Sequence, residues 1–270
     1  MPPLTPPPPH RLRTDSALHP QTIDVMVEQI AQPWTAPPAT ITTHAAAISE
    51  RVLSSGLGAG GSLRSTCAQL STSEVDAIIR SASGPHARPS RLPVLLHRPR
   101  LLTPLQCVAL IEHIEQHYAS ALAAELPAND LKISISLREL DALIGSAAAA
   151  SIMDLGLLVT KQSLSASRQL LDEASEPTLR LSLRRRCAEV GNAGARIGFH
   201  RDVPRAVVNI ALNGSDCYLG GRLLLAVDGC VLGPERSAGC ATALDNAVVH
   251  GVSCLTAGVR YTLLAAFDVA

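Results

Sequence analysis

Two histidines and an aspartate carry the most specific chemistry in this chain: His200 and Asp202 in Phe199-His200-Arg201-Asp202, and His250 in Val248-Val249-His250-Gly251-Val252. Alternate residues of a strand face the same way, so His200 and Asp202 project together while Arg201 points away. Two imidazoles and a carboxylate on neighbouring strands can occupy one face of an octahedral Fe(II) ion and leave the opposite face open. His-x-Asp alone is too short a pattern to be selective, and a turn aspartate beside a core histidine would produce it as readily. Its company gives it weight. Downstream of His250 comes Ala257-Gly258-Val259-Arg260-Tyr261-Thr262. If residues 251–258 form a hairpin connection, His250 and Arg260 lie on adjacent strands. Arg260 and Thr262 share a strand face, and a guanidinium fork with a hydroxyl is a good receptor for a carboxylate. One pocket then holds a metal at its mouth and an anion deeper in. 2-Oxoglutarate fits that arrangement, its keto acid on iron and its far carboxylate on the arginine.

Taken in order, His200-x-Asp202, Gly220-Gly221, Pro234 with Gly239, Asp245, His250-Gly251-Val252 and Gly258-x-Arg260-Tyr261 form a pattern. The sequence here resembles the Fe(II)/2-oxoglutarate-dependent dioxygenases of the prolyl 4-hydroxylase type. The resemblance is strongest over residues 180–270, extends loosely back to Leu101-Leu102-Thr103-Pro104, and does not cover residues 1–92. It implies a double-stranded β-helix (jelly-roll) core, with His200, Asp202 and His250 as iron ligands and Arg260 as the cosubstrate anchor. It also implies oxidative decarboxylation of 2-oxoglutarate coupled to hydroxylation of a substrate, with a protein or peptide side chain as the preferred class and ascorbate as a candidate accessory. Many relatives carry a tyrosine on the strand before the His-x-Asp; here that strand reads Leu183-Arg184-Arg185-Arg186-Cys187, which leaves one cosubstrate contact unassigned, with Asn209 on the next strand a candidate to supply a polar contact instead. Two other readings stay open: a non-catalytic binding module that kept the fold, and a cupin-like metalloprotein without 2-oxoglutarate turnover. The intact His, Asp, His and Arg set argues against the first, and Arg260 against the second.

The elements that must position these residues read as α+β. Thr103 then Pro104 is a helix entrance, and Cys107, Leu110, Ile111, Ile114, Tyr118, Ala121 and Leu122 recur at helical spacing behind it. Residues 129–137 alternate as a strand. Ser136 with Glu139 makes a capping box, followed by Leu137, Leu140, Leu143 and Ile144, and further helix is expected over 147–174. From residue 178 onward, short strands with Gly turns are expected at 179–188, 206–212, 222–227, 246–252 and 259–267, the pattern of an antiparallel sandwich or barrel. The catalytic domain is therefore expected over 93–270, with helices at 103–175 and the β-core at 178–270. Residues 1–92, rich in Pro, Gly and Ser, read as a largely flexible tail. Within it, helical pieces are expected near 22–31 and at 73–80, the latter capped by Ser73 with Asp76.

Composition narrows the class. With 23 basic and 23 acidic residues the net charge is zero, which argues against a nucleic-acid partner. Arg184, Arg185 and Arg186 read as a strand face. Seven cysteines without a Cys-x-x-Cys pair fit neither a disulfide scaffold nor a zinc ribbon, and those in the strand region read as small buried apolar residues. No apolar run is long enough for a membrane span. Together these features suggest an intracellular, cytoplasmic protein, with an organelle transit peptide left open. His113, Glu115 and His117 miss the zincin order and read as a solvated helix face.

Overall fold

The computed structural model describes residues 39–54, 67, 69–83, 93–123, 130–166, 177–188 and 196–268. Five helices are described: α1 (Ala39–Leu53), α2 (Thr72–Ser83), α3 (Pro104–Ala123), α4 (Leu137–Ile144) and α5 (Ser146–Ala166). Eleven strands accompany them: β1 (Leu95–Arg98), β2 (Asp130–Ile135), β3 (Thr178–Cys187), β4 (Ile197–His200), β5 (Ala206–Ala211), β6 (Tyr218–Gly220), β7 (Leu223–Val227), β8 (Cys230–Leu232), β9 (Ala241–Asp245), β10 (Val249–Val252) and β11 (Leu255–Asp268).

The strands form two antiparallel sheets. The larger runs β1-β9-β5-β11-β3-β2, with β6 also paired to β11; the smaller runs β4-β10-β7-β8. From β3 onward the chain crosses between sheets: β3 large, β4 small, β5 large, the β7–β8 hairpin small, β9 large, β10 small, β11 large. That alternation is a jelly roll, a double-stranded β-helix, as the sequence led us to expect.

Strand alternation divides the side chains. On the large sheet Leu183, Val208, Ile210, Ala243, Leu263 and Phe267 face outward and share one cluster with Leu110, Ile114, Leu140, Ile152 and Val159 of α3, α4 and α5. Each fully buried aliphatic side chain there is worth roughly 1.5–3 kcal/mol. Gly156 lets α5 lie on Phe267, because a Cβ there would sit 2.0 Å from the ring. The entrances of α3 and α4 were read correctly. Thr103 caps Gln106 N at 3.3 Å and its own N–H donates to Gln106 Oε1 at 2.9 Å; Ser136 and Glu139 make a full capping box. Leu122 and Leu137, counted on the buried faces, are exposed.

The largest departure is at the N-terminal side. The helix expected at 73–80 is α2, but α1 was not expected, and both are packed rather than loose: Ile48, Val52, Val75 and Ile78 share a cluster with Leu224, Ala226, Val231 and Val249. The outward face of the small sheet is apolar and requires a cover; these helices supply it. The α2 cap is Ser71 with Glu74 rather than Ser73 with Asp76: Ser71 N donates to Glu74 Oε2 at 2.8 Å, and Glu74 N donates to Ser71 Oγ at 3.4 Å. The expected helix at 22–31 and the end of the expected 147–174 helix lie outside the described residues. No described helix is long and apolar enough to cross a membrane.

Candidate metal centre

Between the sheets, one half of the interior is apolar. Leu223, Leu225, Val227, Val248 and Val252 of the small sheet side meet Leu244 of the large one. The other half is polar, and the same register puts the candidate site there. His250 is the partner of Leu225 on β7 and of His200 on β4, so both histidines face inward with Leu225. β4 ends at His200, so Asp202 lies just past the strand, yet its carboxylate reaches both rings. Asp202 Oδ1 is 3.4 Å from His200 Nε2, and Asp202 Oδ2 is 3.4 Å from His250 Nε2. The three ligand atoms lie within 4.8 Å of one another, the sole such cluster among the described residues.

The tautomers follow from the backbone. His200 Nδ1 sits 2.8 Å from Gly198 O and His250 Nδ1 sits 3.3 Å from Val248 O. A carbonyl can only accept, so each Nδ1 carries a hydrogen, which leaves Nε2, the atom facing Asp202, as the one that could bind a metal once its proton is displaced. The hydrogen bond that the His200 ring donates to Asp202 raises the His200 pKa, whereas burial pushes that of His250 down. Burial pushes the Asp202 carboxyl up, but the His200 hydrogen bond and both imidazoles outweigh it and leave it below its ordinary value. Two neutral imidazoles and an ionised carboxylate are the donor set that a divalent transition metal requires. His200 is 40% exposed and His250 10%. The centre therefore opens on the His200 side, where Val203 is also exposed.

The inward face of the large sheet carries a group of buried donors. Arg260 pairs with Arg186 on β3 and Thr262 with Ala211 on β5, two positions from the Leu264–Asn209 pair. Arg186, Arg260, Thr262 and Asn209 thus point to one face, the interior. Arg260 Nε and Nη2 and Thr262 Oγ1 are buried and make no hydrogen bond among the described residues. Burial pushes the Arg260 pKa down to about 9, with Arg236 the next cause, so it is charged at neutral pH. Native proteins pair their buried donors; an orphaned guanidinium and hydroxyl in one dry space fit a bound carboxylate.

The expectation that His250 and Arg260 lie on adjacent paired strands is corrected. β10 belongs to the small sheet and β11 to the large one, so the two residues reach the interior from different sheets. Sequence reasoning also missed Tyr218. It is buried on β6, a partner of Gly258, and a Cβ on Gly221 would meet both Arg260 Cδ and Tyr218 Cδ2 within 3.5 Å. A phenol therefore reaches this space from β6 rather than β3. Asn209 accepts a 3.0 Å hydrogen bond from Arg236 Nη1. Arg236 is almost wholly buried, and nothing in a loop arginine's local sequence signals that.

Other candidates fall away. Glu115 receives Arg185 Nε and the Tyr261 hydroxyl, both at 2.7 Å, and the His113 and His117 rings merely lie beside each other. The three arginines split between faces instead of sharing one: Arg185 stacks on Tyr118, while Arg184 and Arg186 engage Asp130. None of the seven cysteines is in a disulfide; Cys240 and Cys254 are buried as expected, Cys230 is half-buried, and Cys217 is exposed. An open cleft of about 610 Å³ beside α3, lined by Val108 and Ile111 among others, includes none of the three ligands.

No family model matches the chain, and no curated protein matches it. Similar solved structures exist. AviO1 from Streptomyces viridochromogenes Tue57 is 15% identical with a TM-score of 0.43, over 66% of this chain and 90% of that one. A Pseudomonas putida prolyl-4-hydroxylase is 18% identical with a TM-score of 0.41, over 72% and 98%. HygX from Streptomyces hygroscopicus, with nickel and 2-oxoglutarate bound, is 12% identical with a TM-score of 0.40, over 64% and 82%. At these identities and scores, the function of this chain rests on its own residues.

Proposed function

We propose that this chain is an Fe(II)/2-oxoglutarate-dependent oxygenase, with His200, Asp202 and His250 holding the metal and Arg260 and Thr262 receiving the far carboxylate of the cosubstrate. The observation that carries this reading is the orphaned Arg260 guanidinium, buried opposite the convergent His, Asp and His side chains. A metal site alone does not require it; a metal site that also chelates a dicarboxylate does.

Bound iron and 2-oxoglutarate would supply O2 activation, giving succinate and CO2 and oxidising a substrate C–H bond. The protein's own residues do the positioning. Gly198 O and Val248 O orient the imidazoles, and Asp202 adds the negative charge that favours a divalent ion. Arg260 and Thr262 fix the far end of the cosubstrate through charge-assisted hydrogen bonds. The apolar cluster around Leu223, Leu225 and Leu244 keeps that half of the interior dry. The more exposed His200 side is the approach for a substrate. A protein or peptide side chain, the class that the family resemblance implies, would enter there.

The test is titration of anaerobic protein with Fe(II) and then 2-oxoglutarate. A weak visible charge-transfer band of the chelate is expected, followed by succinate formation when O2 is admitted. Metal binding with no response to 2-oxoglutarate would instead favour a cupin-like metalloprotein.

A further inference from the structure

We propose that Arg236 and Arg260 form a two-guanidinium clamp for the far carboxylate of the cosubstrate, with Asn209 as the positioning residue that holds Arg236. This rests on the 2-oxoglutarate reading above.

Arg236 lies between β8 and β9, two residues past Pro234. Arginines outside regular structure are usually solvated. This one is 2% exposed and ranks among the largest fully buried side chains. Its Nη1 donates to Asn209 Oδ1 at 3.0 Å, and Asn209 faces the interior beside Thr262 and Arg260. Its tip is thereby drawn toward the space that Arg260 borders. Nε and Nη2 of both arginines make no hydrogen bond among the described residues; the Tyr218 hydroxyl stands close to both without the geometry of one. Arg236 is the charge that most disfavours protonation of Arg260. Among the described residues neither arginine pairs with a carboxylate. The field of Asp130 reaches Arg260, but that side chain is held by Arg184 and Arg186.

Two like charges side by side in a dry interior are an expensive arrangement unless something neutralises them. An incoming carboxylate does so. Its two oxygens offer about four lone-pair sites, and one guanidinium fork uses two of them. That leaves acceptors for Arg236 and for the Thr262 hydroxyl. A keto acid with a neutral far end would satisfy none of these donors, so the clamp selects for a second carboxylate.

The rival account is that Arg236 merely pins its loop through Asn209. The two accounts separate in calorimetric titrations of anaerobic, Fe(II)-loaded full-length protein. The probes are 2-oxoglutarate and 2-oxobutanoate, which keeps the keto acid but lacks the far carboxylate. For the clamp, Arg236→Gln weakens 2-oxoglutarate roughly tenfold to a hundredfold and leaves 2-oxobutanoate unchanged, and Arg236→Lys recovers part of the loss. Without ligand, Arg236→Gln melts at or above the wild-type temperature, because a repelling buried charge is gone, and the upward shift given by 2-oxoglutarate shrinks. A lowered ligand-free melting temperature, with both keto acids weakened alike, would overturn the clamp in favour of the loop pin. Unchanged 2-oxoglutarate affinity in Arg236→Gln beside a weakened Arg260→Gln would overturn the clamp and leave the oxygenase reading standing. Wild-type protein that binds Fe(II) but neither keto acid would overturn both.

Discussion

His200 and His250 are register partners across the β4–β10 pair, with ring centroids 4.4 Å apart, and Asp202 presents one carboxylate oxygen to each. The donor set is thus assembled by strand pairing and two backbone carbonyls. Replacing one donor should remove metal affinity without unfolding the sheet. His250→Ala and Asp202→Ala are each expected to weaken Fe(II) on the order of 100-fold or more, with little change in circular dichroism. Wild-type Fe(II) affinity in His250→Ala, measured by calorimetry, would show the ligand assignment to be wrong.

Arg260→Ala should separate the two halves of the site. It removes the fork from a buried anion position, a loss of roughly 3–5 kcal/mol, or on the order of a hundredfold or more in 2-oxoglutarate affinity. Fe(II) affinity should hold, since Arg260 is no ligand. Arg260→Lys keeps the charge without the fork and should be milder. The measurement is the 2-oxoglutarate dependence of succinate formation, set beside the Fe(II) titration of the same variant.

Gly221 offers a subtler route to the same end. Its φ is +60°, and an added Cβ would sit 2.9 Å from Leu255 Cδ1 and 3.3 Å from Arg260 Cδ. Gly221→Ala should cost about 1–2 kcal/mol in backbone strain and shift the Arg260 side chain. The 2-oxoglutarate titration should weaken while Fe(II) binding stays put. An unchanged 2-oxoglutarate affinity would mean that Arg260 tolerates the displacement.

The helices α1 and α2 make the N-terminal side indispensable. Deleting residues 1–84 would expose Leu224, Ala226, Val231 and Val249, each Val or Leu among them worth roughly 1.5–3 kcal/mol when buried. The truncated chain should aggregate or melt far below full-length protein, and Ile78→Ala alone should cost about 2–5 kcal/mol. A soluble truncation with an unchanged melting temperature would show that the cover is dispensable.

Glu74 should make the docking of α2 acid-sensitive. The Ser71 N–H, the Ser71 hydroxyl and Arg51 hold its carboxyl down to about 2 from an ordinary 4.5. The folded value is the depressed one. The stabilisation is therefore present above pH 4.5 and is lost as the pH falls toward about 2. Carboxyl NMR should find the Glu74 midpoint well below those of free glutamates, and amide exchange in α2 should quicken over that window. A midpoint near 4.5 would mean that the Ser71 cap does not form in solution.

What was legible in the sequence was local. Thr103-Pro104 and Ser136 with Glu139 mark helix starts because caps act within one turn. His200 and Asp202 were legible through their spacing, although alternation does not explain Asp202, which lies past the end of β4. Membership of sheets was not legible: β10 and β11 are separated by two residues, and only long-range pairing sends them to different sheets. β6 and β8, of three residues each, are too short to carry a period. α1 and α2 show small apolar faces whose value depends on the uncovered sheet beneath them. The burial of Tyr218 and Arg236 is a tertiary fact, created by strands distant in the chain, and no spacing announces it.

The proposed metal ligands hang from one sheet and its edge, and the proposed anion donors from the other. Stacked sheets stand about 10 Å apart, and here Leu223, Leu225 and Val227 abut Leu244 to set that gap. The sandwich therefore works as a calliper. On the proposed reading, a keto diacid one carbon shorter or longer than 2-oxoglutarate would seat less well against both jaws. Repacking the aliphatic spacer, without touching either jaw, would change which carbon count fits.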